Sequence, residues 1–276
     1  MNLTGQVALI TGGSRGLGKA FAQALAKAGA RVVITGRSAQ ELTATAAQIA
    51  PTPDQVVAMP ADVTDPARTQ QVIATVEEQV GPLDLLVNNA GTFRAFGMIA
   101  NIEPQEWWRE VEINLRGPFL YAHAVLPAMR ARQTGRIINV ASGADLGTIP
   151  AASAYNVSKT ALIRLSETLA QETKGDGICV FAIHPGTVRT PMNAYVHDSP
   201  EVAQQAPQIQ QWFQDLYATN RDTPIERAAD LVLQIASGKA DALTGCYLSV
   251  EDDIAALTQQ SDIIQQESRR KLRMQM

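Results

Sequence analysis

Short apolar runs alternate with longer amphipathic stretches through most of this chain, and this alternation most restricts the folds open to it. The pattern is typical of strands joined by crossover helices, which build a parallel sheet. The apolar runs predict strands near 7–11, 31–35, 55–60, 83–88, 136–141, 178–184 and 246–250. Seven such strands predict an α/β fold with a Rossmann-like, doubly wound parallel sheet.

Length and composition favour a single large domain. The chain has 276 residues, of which 46% are hydrophobic and 18% charged, enough for one sizeable α/β core but short for two. We expect the domain to span 1–250, with a lid at about 190–223 and a helical extension at 251–276.

Prolines and apolar spacing give expectations for the remaining segments. The lid is predicted to be irregular because it contains Pro191, Pro200 and Pro207. Pro118 and Pro127 are expected to kink or break the helical stretch 103–132. In the extension, the apolar stripe of one helix is predicted from Ile254, Leu257 and Ile264.

Charge and cysteine content argue against several classes of protein. The net charge is −4 and the pI about 5.5, so a nucleic-acid partner is not expected. Cys179 and Cys246 each lie in an apolar segment and are interpreted as structural thiols. Neither the cysteines nor the three histidines have metal-site spacing, so no metal is predicted. No apolar run reaches membrane-spanning length and Met1 leads straight into a strand, which favours a cytoplasmic protein without a membrane partner.

Tyr155 and Lys159 are four residues apart in a proline-free stretch, so they share one helix face. A free phenol has a pKa of about 10, and a neighbouring ammonium group favours its ionised form. Ser142 follows an apolar run and could polarise a substrate oxygen from a strand's carboxyl end. Each residue alone could equally be a packing or surface residue. Together they predict acid–base chemistry coupled to hydride transfer on a carbonyl.

A glycine-rich turn lies between the first strand and the following helix. Gly12, Gly16 and Gly18 have the spacing Gly-x3-Gly-x-Gly, which differs from the more widespread Gly-x-Gly-x-x-Gly pattern. Such a turn lets the backbone approach a pyrophosphate at the helix N-terminus, although it could be only a tight structural turn.

The residues after the second and third strands bear on the type of cofactor. The second strand ends at Thr35-Gly36-Arg37, where a carboxylate would bind the ribose 2′-hydroxyl of NAD, but no carboxylate is there. Arg15 lies in the glycine turn. Two arginines favour the 2′-phosphate of NADP, so NADP(H) is predicted over NAD(H). Asp62 and Val63 are placed to meet the adenine, although Asp62 could be a plain turn former.

With these motifs assembled, the chain resembles the short-chain dehydrogenase/reductase family over about its first 250 residues. The resemblance includes the Asn-Asn-Ala-Gly segment at 88–91. It implies four catalytic residues: Asn114, Ser142, Tyr155 and Lys159. It also implies a cofactor site made of Gly12, Ser14, Arg15, Gly16, Leu17, Gly18, Arg37, Asp62, Val63, Asn89, Tyr155, Lys159, Pro185, Gly186, Val188 and Thr190.

The family resemblance assigns roles within this set. Tyr155 would exchange a proton with the substrate oxygen, while Lys159 would lower its pKa and bind the nicotinamide ribose. Asn114 would hold a water in the proton relay, although it could instead kink or cap the helix beside Pro118. The Val188 backbone and the Thr190 hydroxyl would hold the carboxamide.

The end of the last predicted strand departs from the family. Many relatives have Asp-Gly-Gly there, whereas this chain continues as Glu-Asp-Asp at 251–253. Family tetramers often use that edge as a subunit interface, so this departure leaves the position of the interface undecided. A homodimer or homotetramer is expected.

The function expected from these observations is NADP(H)-dependent interconversion of a carbonyl (ketone or aldehyde) and an alcohol. A 3-oxoacyl thioester reductase is an alternative, although it needs a basic patch and only Arg189, Arg221 and Arg227 are scattered nearby. A non-catalytic dinucleotide-sensing regulator is an alternative of another class. An apolar substrate is favoured by Phe93, Phe96, Met192, Tyr195, Trp212, Phe213, Leu216 and Tyr217, which could also simply pack the lid.

Overall fold

A single parallel sheet of seven strands organises the protein. The computed structural model describes residues 1–52, 54–143 and 147–273. The strands are β1 (Val7–Thr11), β2 (Arg31–Gly36), β3 (Val56–Pro60), β4 (Leu83–Asn88), β5 (Gly135–Val140), β6 (Ile178–His184) and β7 (Tyr247–Ser249). They pair in the order β3-β2-β1-β4-β5-β6-β7. The predicted doubly wound α/β fold is confirmed, and strand ends differ from prediction by one residue where they differ.

Helices connect the strands and cover both faces of the sheet. They are α1 (Gly16–Lys27), α2 (Ala39–Ile49), α3 (Pro66–Thr75), α4 (Pro104–Val111), α5 (Gly117–Arg132), α6 (Ser153–Glu172), α7 (Pro191–Asp198), α8 (Pro200–Gln205), α9 (Pro207–Ala218), α10 (Ile225–Ala236), α11 (Ile254–Gln259) and α12 (Ser261–Gln266). None of the helices in these ranges is long and apolar enough to cross a membrane.

The core lies in two apolar layers, one on each side of the sheet. Along β1, Ile10 belongs to the layer that includes α1 and α10, whereas Leu9 belongs to the layer that includes α5. Successive side chains of a strand point to opposite faces, so a strand buried on both faces must be apolar throughout. This explains why the strands could be recognised as uninterrupted apolar runs.

The lid is helical rather than irregular. Each proline that suggested irregularity occupies the first turn of a helix, in α7, α8 and α9. The first helical residue needs no donor to a preceding carbonyl, and proline already has a helical φ, so it starts a helix well.

The stretch 103–132 is interrupted before its prolines and not at them. Residues Glu112–Arg116 form a wide π-helical turn between α4 and α5. Pro118 then lies in the first turn of α5, while Pro127 remains inside that helix. A π turn inserts one extra residue into the helical ladder, and such turns often occur at functional sites.

The C-terminal extension contains two short helices instead of the single helix that was predicted. The chain turns at Gln260, between α11 and α12. Ile254 and Ile264 are buried in the main core and Leu257 packs against it, so the predicted apolar side chains do face inward. The segment then runs on to 273, and the predicted range 274–276 lies outside the described residues.

Candidate active site

The carboxyl ends of the central strands form the edge on which the predicted site residues meet. β1 pairs with both β2 and β4, so the chain direction across the sheet reverses between β1 and β4. In doubly wound sheets a ligand crevice forms at this point, because the loops after the two strands leave in opposite directions. The glycine turn follows β1, and the 88–91 segment ends β4.

The glycine turn is packed too closely for side chains. A Cβ on Gly18 would lie 2.2 Å from the Gly12 main-chain oxygen and 2.5 Å from Asn89 Nδ2. Gly12 and Gly16 have φ values of +66° and +54°, in the left-handed region that favours glycine. Asn89 Nδ2 donates to the main-chain oxygens of Thr11, at 2.9 Å, and Gly12, at 3.2 Å, so this asparagine fastens the turn to the end of β4.

The first turn of α1 is available to an anion. Arg15 precedes the helix, but no side chain caps its N-terminus and its first turn has no acidic residue. By contrast, Ser38 caps α2 and Asp65 caps α3. Uncapped N–H groups and the positive end of the helix dipole together favour a phosphate at α1. The backbone of this turn therefore fits the pyrophosphate of a dinucleotide.

The two cations expected at the nucleotide end are both exposed, and neither forms a salt bridge within 1–52, 54–143 and 147–273. Arg37 follows β2 directly, and Arg15 lies between Ser14 and the start of α1. Ser14 Oγ donates to Glu41 Oε2 at 3.2 Å, which brings a carboxylate to this end of the site. Glu41 was not predicted, because its position in the first turn of α2 looks like ordinary helix-end charge. Leu17, in the first turn of α1, is partly buried and packs against the core.

Asp62 and Val63 lie after β3, as predicted, and both are engaged by the protein. Asp62 accepts hydrogen bonds from Thr64 and Arg109, and Val63 is buried against Gly117. Partial burial works against the charged carboxylate. The hydrogen bonds from Thr64 and the charge of Arg109 outweigh that effect and lower the pKa of Asp62.

The loop after β6 closes against the glycine turn. A Cβ on Gly16 would lie 3.5 Å from Thr190 Cβ, so the two segments are neighbours. Gly186 has φ +75°, and a side chain there would meet Thr223 Oγ1 at 2.2 Å. Thr190 Oγ1 accepts from the Asn193 N–H, and Asn193 Nδ2 donates to the Val188 oxygen at 2.8 Å. The predicted loop 185–190 is thus fixed to the first turn of α7.

Lys159 is almost fully buried beneath the site. Its Nζ donates to the Val140 main-chain oxygen at 2.7 Å, at the carboxyl end of β5. The same nitrogen lies 5.8 Å from the centroid of the Tyr155 ring. Burial lowers the pKa of Lys159 to about 8, and the Glu110 carboxylate partly opposes this. Lys159 therefore remains largely cationic at neutral pH.

Asn114 is fully buried in the π turn and points at the same segment as Lys159. Its Oδ1 accepts from Thr92 N at 2.8 Å, and its Nδ2 donates to Thr92 O and to Ser158 Oγ. A Cβ on Gly91 would lie 3.1 Å from Asn114 Oδ1 and 3.5 Å from Lys159 Nζ. Asn114 thus joins the helix that carries Tyr155 and Lys159 to the loop after β4.

Tyr155 borders a buried apolar cluster between the loop after β4 and the lid. The Tyr155 ring packs on Phe93, with 4.2 Å between ring centroids. Ser142 follows the end of β5, and its main-chain oxygen accepts from Tyr247 Oη at 2.9 Å. The cluster joins the loop after β4 to the lid and includes Phe93, Phe96, Val196, Val202 and Phe213, with Met192, Tyr195, Ile209 and Tyr217 packed against them.

Glu110 is a site residue that the sequence analysis missed. It is 2% exposed, and its Oε2 accepts from the main-chain N–H groups of Arg94 and Ala95 at 2.6 and 2.9 Å. Burial raises the pKa of this carboxyl, against those hydrogen bonds and the charge of Lys159. Its helix carries several charges, so nothing in the pattern distinguishes Glu110 from its exposed neighbours.

The described residues provide neither a reactive thiol nor a metal-binding cluster. Both cysteines are free thiols, and burial raises the pKa of Cys179 to about 11. Thiols of this kind are poor nucleophiles at neutral pH. Across the part of the chain that the structure describes, no cluster of His, Cys, Asp and Glu could hold a metal ion.

Comparison with known proteins gives a consistent family. A family model described as short chain dehydrogenase matches residues 6–201. The chain is 34% identical to the short chain dehydrogenase pigC of Monascus ruber, over 99% of this chain and 87% of that protein. It is 35% identical to a 3-oxoacyl-[acyl-carrier-protein] reductase of Synechocystis sp., over 72% of this chain and 80% of that protein.

Solved structures agree with these relatives. An actinorhodin polyketide ketoreductase with NADPH superposes with a TM-score of 0.81 at 31% identity, covering 89% of this chain and 95% of that one. The chain belongs to the short-chain dehydrogenase/reductase family. It is therefore an NAD(P)-dependent oxidoreductase that acts on CH–OH and carbonyl groups.

Proposed function

We propose that the protein is an NADP(H)-dependent reductase of ketones or aldehydes attached to apolar groups, with Tyr155 as its proton donor. One observation carries the proposal. Lys159 Nζ and Asn114 Oδ1 converge on the backbone of Gly91, and Tyr155 stands one helical turn before that lysine and packs against an apolar cluster. A cation and an amide near one stretch of backbone, with a phenol one helical turn away, support this proposal.

The residues present fit a dinucleotide. The closely packed glycine turn, the uncapped start of α1 and the loop 185–190 against Gly16 line one crevice. When bound, the nicotinamide supplies the hydride that reduces the carbonyl carbon. The protein's part is to orient the substrate oxygen and to deliver the proton.

The chain's own groups provide that proton. Tyr155 donates its phenolic hydrogen to the oxygen as negative charge develops there, and the Lys159 cation favours the resulting phenolate. Ser142 Oγ would donate a hydrogen bond that polarises the carbonyl. In the oxidative direction the same phenolate accepts the alcohol proton. Because Lys159 has a pKa of about 8, the support from its charge fades above that pH.

NADP(H) is preferred over NAD(H) in this proposal. Arg15 and Arg37 are exposed at the end of the crevice where a 2′-phosphate would lie, and a charge-assisted contact is worth about 1.5–3 kcal/mol. Arg37→Ala should therefore raise KM for NADPH about tenfold or more while leaving KM for NADH nearly unchanged. Arg221→Ala, an exposed arginine on the lid side, is the control. Equal effects on both cofactors would contradict the assignment.

The apolar cluster beside Tyr155 supports a free apolar carbonyl over a substrate held on a carrier. Arg189 makes a bidentate salt bridge to Asp222, and Arg227 contacts Glu251. Two of the three arginines considered for a carrier's phosphate arm are therefore already paired with carboxylates. The 3-oxoacyl-[acyl-carrier-protein] reductase relative still makes a 3-oxoacyl thioester the second candidate.

A turnover assay tests the reaction. Purified protein with NADPH should reduce members of a panel of aryl and alkyl ketones, and Tyr155→Phe should abolish turnover while retaining cofactor binding. Tyr121→Phe removes a hydroxyl from a fully buried core tyrosine on α5 and should retain activity. Undiminished turnover by Tyr155→Phe would overturn the catalytic assignment. Preference for an acetoacetyl thioester over all free ketones would favour the second candidate.

A non-catalytic regulator would give a different result. In that case the wild-type protein would bind NADPH yet reduce nothing across the panel, and its affinity for a partner protein would depend on the nucleotide. The presence of both Tyr155 and Lys159, with Lys159 and Asn114 close to Gly91, favours the enzyme.

We also propose that the protein is a homodimer. A largely apolar groove between α4, α5 and α6 is lined by Trp108, Val111, Leu115, Phe119, Ala161 and Leu165, together with Glu112 and Arg116. Trp108 is 61% exposed and Phe119 48%. Exposed aromatic side chains in one groove are typical of a subunit interface. At the other candidate edge, the Tyr247 N–H of β7 is already paired with the Arg270 oxygen of the same chain.

A further inference from the structure

The segment after α12 folds back across β7 and towards the catalytic edge. The Tyr247 N–H donates to the Arg270 oxygen at 2.9 Å, so the segment pairs with the edge strand. Arg270 also makes a bidentate salt bridge to Asp252, at 2.6 and 2.7 Å. Asp252 is 10% exposed and accepts from the Ser249 N–H as well. The edge of β7 and the returning segment are thus locked together.

The same segment is fastened to α6, the helix that carries Tyr155 and Lys159. Glu167, which is 7% exposed, accepts from the Leu272 N–H at 2.6 Å. Arg164 donates to the Leu272 oxygen at 2.7 Å and also contacts Glu167. A buried carboxylate that accepts from both a main-chain N–H and an arginine makes a strong local contact. The segment therefore bridges β7 and α6.

Tyr247 connects this bridge to the serine. Its ring packs in a small apolar cluster with Ala141, Ile163, Ala182 and Leu272. Its hydroxyl donates to the Ser142 main-chain oxygen at 2.9 Å. Ala141 immediately precedes Ser142, and Ile163 lies one turn beyond Lys159 on α6. One side chain thus touches the end of β5, the catalytic helix and the C-terminal segment.

We propose that Tyr247 is a positioning residue for Ser142, and that residues 268–273 hold Tyr247 in place. The C-terminal extension is then part of the catalytic scaffold and not a separate appendage. This inference rests on the proposed function, because it takes Ser142 as the group that polarises the carbonyl. The hydroxyl of Tyr247 fixes the main chain of Ser142, and the strap at 268–273 fixes the ring.

Two single substitutions test the two halves of the proposal. Tyr247→Phe removes only the hydroxyl and should lower kcat about fivefold, with little change in KM for NADPH. Arg270→Met breaks the salt bridge to Asp252 and should lower kcat in the same sense. Arg269→Met is the matched control, because that arginine pairs with Glu267 at the exposed surface. Thermal unfolding of each variant separates a local effect from loss of the fold.

A double-mutant cycle shows whether Tyr247 acts through Ser142. In a Ser142→Ala background, Tyr247→Phe should cause little further loss of kcat, because the group it positions is gone. Wild-type kinetics in Tyr247→Phe would overturn the proposal. An undiminished effect of Tyr247→Phe in the Ser142→Ala background would also overturn it.

Hydrogen exchange provides a readout that needs no turnover. Amides in 135–143 should exchange several-fold faster in Tyr247→Phe and in Arg270→Met than in wild type or Arg269→Met. If the wild-type protein reduces no carbonyl, the proposed function fails while this measurement still decides the structural claim. Unchanged exchange in both test variants would refute the positioning role whatever the activity.

Discussion

Replacing Lys159 with methionine should abolish turnover and yet stabilise the cofactor-free fold at neutral pH. Lys159 is 5% exposed, and burial lowers its pKa from 10.5 to about 8. The folded protein therefore holds this proton less tightly than the unfolded chain does. Methionine has a similar length and fills the same space without the charge.

The size of the effect follows from the pKa difference. Each pKa unit is worth about 1.4 kcal/mol, so the full difference between pKa 10.5 and about 8 corresponds to about 3 kcal/mol. Because the unfolded chain binds more protons between those values, this group makes the free energy of unfolding rise with pH from about 8 to about 10.5. Below about pH 8 the whole penalty is present. Losing the charge-assisted hydrogen bond to the Val140 oxygen offsets about 2 kcal/mol, so we expect a net gain of about 1 kcal/mol at pH 7.

Urea unfolding at several pH values measures this directly. The difference in free energy of unfolding between Lys159→Met and wild type should shrink by about 3 kcal/mol between about pH 7 and 10.5. Taking the difference removes other groups that titrate equally in both proteins. Lys174→Met, which changes an exposed lysine just beyond α6, should show no such trend. If the difference in free energy of unfolding does not change with pH, burial does not lower the pKa of Lys159 as described.

Three further predictions concern the turn, the buried carboxylate and the subunit interface. Gly18→Ala should abolish cofactor binding, since its Cβ would lie 2.2 Å from a main-chain oxygen. The control Gly36→Ala makes only ordinary contacts at 3.6 Å and should bind NADPH normally in isothermal titration. Glu110→Gln removes a charge that raises the pKa of Lys159, so the alkaline loss of activity in a pH–rate profile should move to lower pH; an unmoved profile would contradict the coupling. Trp108→Glu should give a monomer in light scattering, whereas Trp212→Glu on the lid should not.

Much of the fold could be predicted because parallel strands carry a strong local signal. A strand such as β6, buried on both faces, leaves an uninterrupted apolar run that stands out from its amphipathic neighbours. The lid could not be predicted in the same way. Pro191, Pro200 and Pro207 suggest an irregular segment, whereas each one begins a helix. Proline fixes φ both in irregular segments and at helix starts, so its presence alone does not say whether a helix follows.

The site was predictable wherever the separation of two residues along the chain fixes their relative positions. Tyr155 and Lys159 share a helix face because helices repeat every 3.6 residues, and Gly12 and Gly18 meet within one tight turn. Glu110, Glu41 and Tyr247 were not predictable. Their roles depend on partners in distant parts of the chain, such as Arg94, Ser14 and Ser142, and no local pattern marks such pairs.

The sequence by itself determined the order of strands and helices, the glycine turn and the spacing of the catalytic pair, because each depends on bond geometry and side-chain periodicity over a few residues. Only the tertiary structure decided that Lys159 loses its water, that the π turn aims Asn114 at the same backbone as that lysine, and that the C-terminal segment fastens Tyr247 beside Ser142. Burial and long-range hydrogen bonds are properties of the packed whole. They exist only once residues far apart in the chain have been brought into contact.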